Sequence, residues 1–254
     1  MIKALLERIH QGHRTIGYPR EPARLPELFR GYPRIAPGKC SADCRRCIDA
    51  CPTGAISRTN EIRIDLGKCL FCPECSRECV HGAISFTDDP RLAVNGRDDL
   101  IIGADSEHRL AMALKKEMLA VFGHSLKLRQ VSAGGCNACE ADVNVLGTVV
   151  FDLGRFGIQF VASPRHADGL LITGPVSHNM KEALLKSYEA VPQPKIVIAS
   201  GACAINGGPY IGSPEVCDGV QDLLPVDLYI PGCPPHPITI LDGLLRLFGR
   251  LDNH

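Results

Sequence analysis

From residue 125 onward, short apolar runs alternate with stretches of helical period. Runs at 126–131, 158–162, 170–173, 196–199 and 226–230 predict strands. Between and after them, 140–153, 178–190 and 237–248 carry the spacing of helices. The alternation predicts an α/β fold, a flavodoxin-like parallel sheet with helices on both faces. Upstream, 106–122 reads as an amphipathic helix that packs one domain on the other. Leu110, Ala113, Leu114, Met118, Val121 and Phe122 share its apolar face, Ser106 is its N-cap and Gly123 its stop. Residues 18–37 hold five prolines, Pro19, Pro22, Pro26, Pro33 and Pro37, which exclude a helix. Leu25, Leu28, Phe29 and Tyr32 lie among them, so the segment reads as an extended arm along another surface.

The length, 254 residues, suits one large domain or two small ones. Basic and acidic side chains balance at 28 each, which excludes strong nonspecific nucleic-acid affinity as a property of the whole chain. The charge is uneven: residues 1–46 carry ten basic and four acidic side chains. This basic stretch is either a docking surface for an acidic partner or anionic headgroups, or a solvated segment. The longest apolar stretch, 143–162, is interrupted by Asp152 and Arg155, so no membrane span is expected. The first residues lack a cleavage-site pattern, and a cytoplasmic chain with reduced thiols is expected.

Cysteine changes the picture most. There are 13, an odd number whose spacings do not fit a disulfide framework. Residues 38–85 contain a repeat: Gly38-Lys39-Cys40 recurs as Gly67-Lys68-Cys69, and Gly54-Ala55-Ile56-Ser57 as Gly82-Ala83-Ile84-Ser85. The first copy spaces Cys40, Cys44, Cys47 and Cys51; the second spaces Cys69, Cys72, Cys75 and Cys79 as a bacterial two-cluster ferredoxin does. In that arrangement three close cysteines hold one 4Fe–4S cube and the fourth ligates the other. This assigns Cys40, Cys44, Cys47 and Cys79 to a first iron–sulfur cluster, and Cys69, Cys72, Cys75 and Cys51 to a second. Two features depart from the pattern: three residues separate Cys40 from Cys44, and Val80 rather than proline follows Cys79. Paired zinc sites are the alternative, but zinc favours two separated CxxC pairs.

Cys136, Cys139, Cys203 and Cys233 each follow the carboxyl end of an expected strand, where open α/β sheets bind ligands. Gly134, Gly135, Gly201 and Gly232 allow tight turns there, and the four thiols describe a third 4Fe–4S cluster. Cys217 remains and is expected to be buried and inert. A nickel site of several further thiolates has none left in this chain and must sit in another. GACAINGG (201–208) lacks the GxGxxG pattern, so no nucleotide cofactor is expected.

The segments GGCNACE (134–140), RFGIQFVASPRHAD (155–168), GACAINGG and VDLYIPGCPP (226–235) carry a family resemblance. Through them residues 125–254 resemble the small electron-transfer subunit shared by complex I and membrane-bound group 4 nickel–iron hydrogenases. Residues 1–90, with YPREP and FRGYP ahead of the clusters, resemble the two-cluster ferredoxin subunit of the same complexes. The resemblance implies a fusion of two adjacent subunits. Its parts are a basic docking arm at 1–37, an α+β ferredoxin-like domain at 38–90, a linker at 91–124 and the α/β domain at 125–254. In complex I the first two ligands are adjacent; here Asn137-Ala138 separates Cys136 from Cys139, as in the hydrogenase branch.

The implied function is a relay through three 4Fe–4S clusters to or from the nickel–iron site of a partner large subunit. The implied complex is hydrogen-evolving, and this chain itself is not the catalytic one. Membrane-embedded subunits and a soluble redox donor are implied as further partners, with the chain peripheral on the cytoplasmic face. A quinone-reducing complex I-type assembly, a related complex without nickel and a stand-alone ferredoxin-like module are the rivals. The resemblance makes Glu140 a candidate proton relay; its other reading is a carboxylate favoured near a helix N-terminus. Arg165 and His166 either tune the third cluster or belong to a surface loop. His236 reads as turn scaffolding, and His10, His13, His108, His124 and His178 show no metal-ligand pattern.

Overall fold

The computed structural model describes residues 2–36, 38–41 and 43–251, so Pro37, the last proline of the expected arm, lies outside the described residues. The chain opens with helix α1 (Ile2–Gln11). This segment was expected within an extended arm, but it is free of proline and glycine and consists mostly of good helix formers. From Tyr18 to Ala36 the arm contains no regular helix and closes on strand β1 (Pro33–Ile35).

The repeated segment forms helix α2 (Arg46–Asp49), strands β2 (Ile56–Arg58) and β3 (Ile62–Asp65), helix α3 (Glu74–Arg77) and strand β4 (Ile84–Phe86). β1 pairs antiparallel with β4, Pro33 opposite Phe86. β2, β3 and β5 (Ile101–Ile102) make a second small antiparallel sheet. The amino-terminal part is therefore α+β and cysteine-rich.

The expected helix at 106–122 is only α4 (Lys116–Phe122). Ahead of it the backbone bonds elsewhere: Ala111 N–H donates to the Ala93 carbonyl at 2.8 Å and Leu114 N–H to the Leu247 carbonyl at 2.9 Å. Ser106 caps no helix; its Oγ accepts from the Gly103 amide at 2.7 Å.

The remainder is the α/β fold that the periodicity predicts. Strands β6 (Leu126–Ser132), β7 (Ile158–Phe160), β8 (Gly169–Thr173), β9 (Ile196–Ser200) and β10 (Leu228–Ile230) form one parallel sheet. Its order is β7-β6-β8-β9-β10, or 2-1-3-4-5 by chain position, the flavodoxin order. Helices α5 (Ala138–Val145), α6 (His178–Ala190), α7 (Ala202–Asn206) and α8 (Pro237–Leu247) complete it. α5 stops short of the expected 140–153. Gly147 N–H closes a turn on the Asn144 carbonyl, and the Thr148 hydroxyl turns back to the Val145 carbonyl at 2.8 Å.

Strands β8, β9 and β10 are buried on both faces and sort their residues by parity. Leu171, Ile196, Ile198, Leu228 and Ile230 pack with Val143 of α5 and Ile240, Leu241 and Leu244 of α8. Leu170, Ile172, Val197, Ala199 and Tyr229 face the other way, toward Leu184 of α6 and Ile205 of α7. That second core continues into Ile56, Ile64, Leu66 and Cys69 of the cysteine-rich part.

The arm lies along both parts. Arg155 holds it through the carbonyls of Ile16 at 3.0 Å and Tyr18 at 2.8 Å. The Tyr18 hydroxyl donates to Asp242 at 2.6 Å, and Arg30 donates to the Phe71 carbonyl at 2.5 Å. Among the described residues, no helix is long and apolar enough to cross a membrane.

Candidate metal centres

The repeat folds the same way twice. α2 carries Cys47 and α3 carries Cys75. After each, the last cysteine accepts from the amide four residues on: Cys51 Sγ from Ala55 at 3.2 Å and Cys79 Sγ from Ala83 at 3.1 Å. The Cys47 thiol is pushed up by burial and then by Cys40, Cys79 and Cys44 around it. The Cys69 thiol is pushed up to about 12, chiefly by burial, although it accepts from the Phe71 amide at 3.3 Å; Cys75, Cys51 and Cys72 face it. Burial pushes Cys75 up to about 11, with Cys72 and Cys51 beside it and Cys47 of the other set beyond. Cys51, Cys69, Cys72 and Cys75 line a small cavity whose other walls include Ala55, Ile56, Ile64 and Phe86.

A third set gathers beyond the carboxyl ends of β6, β9 and β10. Asn137 stands in the left-handed region between Cys136 and Cys139, a conformation asparagine tolerates, and α5 starts immediately after. Cys203 lies on α7 after β9, and Cys233 follows β10. Burial pushes the Cys139 thiol up, and Cys203, Glu140, Cys233 and Cys136 add to it. Burial, Cys233, Cys136 and Glu140 push Cys203 up to about 12. Cys233 is raised by burial, by Cys136, and by Cys72 of the second set. Gly201 has φ +93°, and a Cβ there would lie 2.6 Å from Cys139 Sγ, so the thiol occupies the space of the missing side chain.

Burial makes Cys47, Cys69, Cys75, Cys139 and Cys203 resist ionisation, and metal–thiolate bonds remove that penalty. Among the described residues no three Cys, His, Asp or Glu side chains come together closely enough for a single metal ion. Tetrahedral zinc, with Zn–S near 2.3 Å, needs sulfurs about 3.8 Å apart. Each set offers four thiols, the number of ligands that a 4Fe–4S cube takes.

Glu140 is 6% exposed, in the first turn of α5. Its Oε1 accepts from the Ser132 hydroxyl at 2.6 Å and the Thr173 hydroxyl at 2.7 Å, at the carboxyl ends of β6 and β8.

Comparison with known proteins places this rim. The family model of the NADH ubiquinone oxidoreductase 20 Kd subunit matches residues 136–247. A probable membrane-bound hydrogenase subunit of Pyrococcus furiosus is 40% identical over 145 residues, 57% of this chain and 84% of that one. The chain belongs to the NADH ubiquinone oxidoreductase 20 Kd subunit family. An NADH-quinone oxidoreductase subunit of Heliobacterium modesticaldum is 42% identical over 122 residues, 48% of this chain and 70% of that one. Formate hydrogenlyase subunit 7 of Escherichia coli is 41% identical over 140 residues; the match spans 55% of this chain and only about half, 55%, of that subunit. The chain is thus an oxidoreductase subunit of complex I-like and hydrogenase-related type, and its cysteines fit iron–sulfur binding. The 20 Kd family match holds the whole third thiol set, while the eight thiols between Cys40 and Cys79 precede it.

Other expected residues fall elsewhere in this 20 Kd-type fold. Arg165 and His166 are exposed in a short turn leading into the amino end of β8. The third set lies at the carboxyl end, about 13 Å along the strand at 3.3 Å per residue. The structure therefore does not bring Arg165 and His166 to the thiols: the chain returns to the sheet's amino edge, where the Asp168 carboxylate accepts from the Lys127 amide at 2.7 Å. Cys217 is partly exposed, not buried, with Sγ 3.4 Å from His178 Nδ1. It sits in the loop bridged to Ser177 just ahead of α6, at the margin of the core that packs on the sheet. His236 caps α8, accepting from the Ile238 amide at 3.2 Å.

The sequence reading passed over Arg58. Its Nη2 donates to Cys40 Sγ at 2.6 Å and its Nη1 to the Ser41 carbonyl at 2.7 Å. The available signal was the repeat itself, which departs there: Ile56-Ser57-Arg58 answers Ile84-Ser85-Phe86.

Proposed function

We propose that this chain is the electron-transfer subunit of a membrane-bound oxidoreductase complex, relaying electrons between a donor and the nickel–iron site of a partner large subunit. When bound, three 4Fe–4S clusters supply the one-electron carriers. Cys40, Cys44, Cys47 and Cys79 hold the first, Cys69, Cys72, Cys75 and Cys51 the second, and Cys136, Cys139, Cys203 and Cys233 the third. The observation that carries this reading is the convergence of twelve thiols into three sets of four, with Cys47 facing Cys75 and Cys72 facing Cys233 across the gaps between sets. Those facing pairs support the order first, second, third. The rim of the third set then faces the large subunit, and the buried Glu140, tied to Ser132 and Thr173, is the candidate proton relay beside Cys139.

In this reading the chain is a fusion of a two-cluster ferredoxin subunit with a 20 Kd-type subunit. Its parts are the arm at 1–37, the ferredoxin-like domain at 38–90, the linker at 91–124 and the α/β domain at 125–254. Its relatives named formate hydrogenlyase subunit 7 and membrane-bound hydrogenase subunit support a hydrogen-evolving complex of group 4 type. So does the separation of Cys136 from Cys139. Membrane-embedded subunits of that complex would keep the chain peripheral, on the cytoplasmic face, with a soluble donor delivering electrons to the first set.

Anaerobic metal analysis of the purified chain should give about 12 irons; zinc, or about 8 irons, would refute the three-cluster reading. Cys233→Ser should remove one reduced-state magnetic resonance signal and Cys217→Ser none. With a large subunit added, hydrogen turnover should appear, and Cys139→Ser should abolish it while the first two clusters still reduce. Hydrogen turnover by the single chain would sink the relay.

A further inference from the structure

The two halves of the repeat superimpose in role but not in charge. Cys40 answers Cys69, Cys51 answers Cys79, and Arg58 answers Phe86. β2 and β4 share the same alternation, so Arg58 and Phe86 hold equivalent half-buried positions after equivalent strands. Arg58 donates to Cys40 Sγ at 2.6 Å, while Phe86 walls the cavity that Cys69, Cys72, Cys75 and Cys51 line. Each set also takes amide donors: Ala83 to Cys79 in the first, Ala55 to Cys51 and Phe71 to Cys69 in the second. Among the described residues the second set thus takes one more amide donor than the first, so neutral donors do not favour the first set. The guanidinium at the first set and the benzene ring at the second do.

Adding an electron to a cluster makes it more negative. A cation and a charge-assisted hydrogen bond at a ligand sulfur favour that state, and apolar walls oppose it. We infer that Arg58 raises the reduction potential of the first cluster above that of the second, so that of these two the first set is where an electron rests. The inference rests on the three-cluster reading above. Glu61 and Asp105 stand in the same surface cleft as Arg58 and Cys40 and offset part of the charge in space, but the donor at sulfur is Arg58. Its second bond, to the Ser41 carbonyl at 2.7 Å, fixes the guanidinium plane against the loop between Cys40 and Cys44. The extra residue of the first triplet thus lies in the loop that Arg58 holds.

The test is redox potentiometry of the full chain, reduced stepwise with dithionite and followed by electron paramagnetic resonance, with iron counted in every sample. In the wild type the first cluster should reduce before the second. Arg58→Gln should shift the first cluster's reduction equilibrium about tenfold toward the oxidised form, about 59 mV for one electron, and leave the other two where they were. Arg58→Lys keeps the charge without the planar fork, so its shift should be in the same direction and smaller. It also serves if the glutamine variant loses iron. Full iron with an unmoved first potential in both variants overturns the inference and leaves the three-cluster reading standing. So does an equal shift of all three clusters. About 8 irons in the wild type overturns both.

Discussion

Gly201→Ala tests whether the third thiol set is built around a missing side chain. Gly201 has φ +93° and ψ 154°, a region open essentially to glycine alone, and occupying it with alanine costs about 1–3 kcal/mol. The new methyl would also lie 2.6 Å from Cys139 Sγ, with the Gly232 carbonyl oxygen 3.6 Å and Pro235 Cδ 3.7 Å away, so the thiol has to move. Overpacking of that kind adds about 1–3 kcal/mol. A total near 3 kcal/mol lowers the melting temperature of a chain this size by roughly 6–12 °C. The sharper readout is iron. A displaced Cys139 breaks one of four ligands, so the content should fall from about 12 irons to about 8 with the signal of one cluster lost. Gly54→Ala is the control. Gly54 also has positive φ, +60°, but a Cβ there meets nothing within 4 Å. It should cost about 1–2 kcal/mol for the left-handed backbone alone and keep all the iron. Calorimetry and metal analysis of the two variants decide the matter. Full iron in Gly201→Ala, or the same iron loss in both, would refute the argument.

Two further outcomes follow from the contacts that tie the arm and its neighbours down. Tyr18→Phe removes a donor 2.6 Å from the buried Asp242 carboxylate, which also takes Arg246 at 2.9 Å. The loss should be about 1.5–3 kcal/mol, with faster proteolytic cleavage between residues 18 and 36; an unchanged digestion pattern would show that the arm is held elsewhere. Asp89 is pushed up by burial but held below its usual value overall by the hydrogen bonds and charge of Arg91, with His108 behind. Its folded pKa is depressed, so its contribution is present above about pH 4 and is lost as the pH falls through the depressed value. Asp89→Asn should therefore melt below the wild type at pH 7, with the gap closing toward pH 3; a constant gap across that range counts against an ionised Asp89.

The central strands were legible because Gly169–Thr173 and Ile196–Ser200 are buried at every residue and read as nearly unbroken apolar runs, while β6 showed through its buried Leu126, Leu128 and Val131. The thiol sets were legible because cysteine spacing is a statement about reach along the chain, and reach is local within each triplet. The segment at 106–115 was not. Its apolar residues have helical spacing, but Ala111 and Leu114 spend their amides on Ala93 and Leu247, partners far off in sequence that no local pattern registers. Arg165 misled for a related reason: a loop's sequence neighbours do not say which edge of the sheet it crosses. Arg58 was missed because a lone arginine at the end of a short strand is ordinary, and only the partner sulfur 18 residues upstream gives it meaning.

The separations between the thiol sets are fixed by packing within the chain. Gly67, which opens the turn to Cys69, packs so closely on α7 that a Cβ would lie 2.8 Å from Ile205 Cγ2. Asp65 accepts from the Gly67 amide at 2.9 Å and from Arg97 at 2.8 and 2.6 Å. Val94 bridges to Tyr229, and Asn95 donates to the Asp227 carbonyl at 3.0 Å, so the segment joining the cysteine-rich part to α4 runs along β10 just ahead of Cys233. Ile64, Leu66 and Cys69 share one core with Val197, Ala199, Ile205 and Tyr229. Two separate subunits would hold such a contact only as tightly as their interface and concentration allow, whereas covalent linkage makes the encounter intramolecular. The turn carrying Cys69 and Cys72 and the helix carrying Cys203 thus rest on one packed body. The facing of Cys72 and Cys233 is therefore set by the fold of this chain.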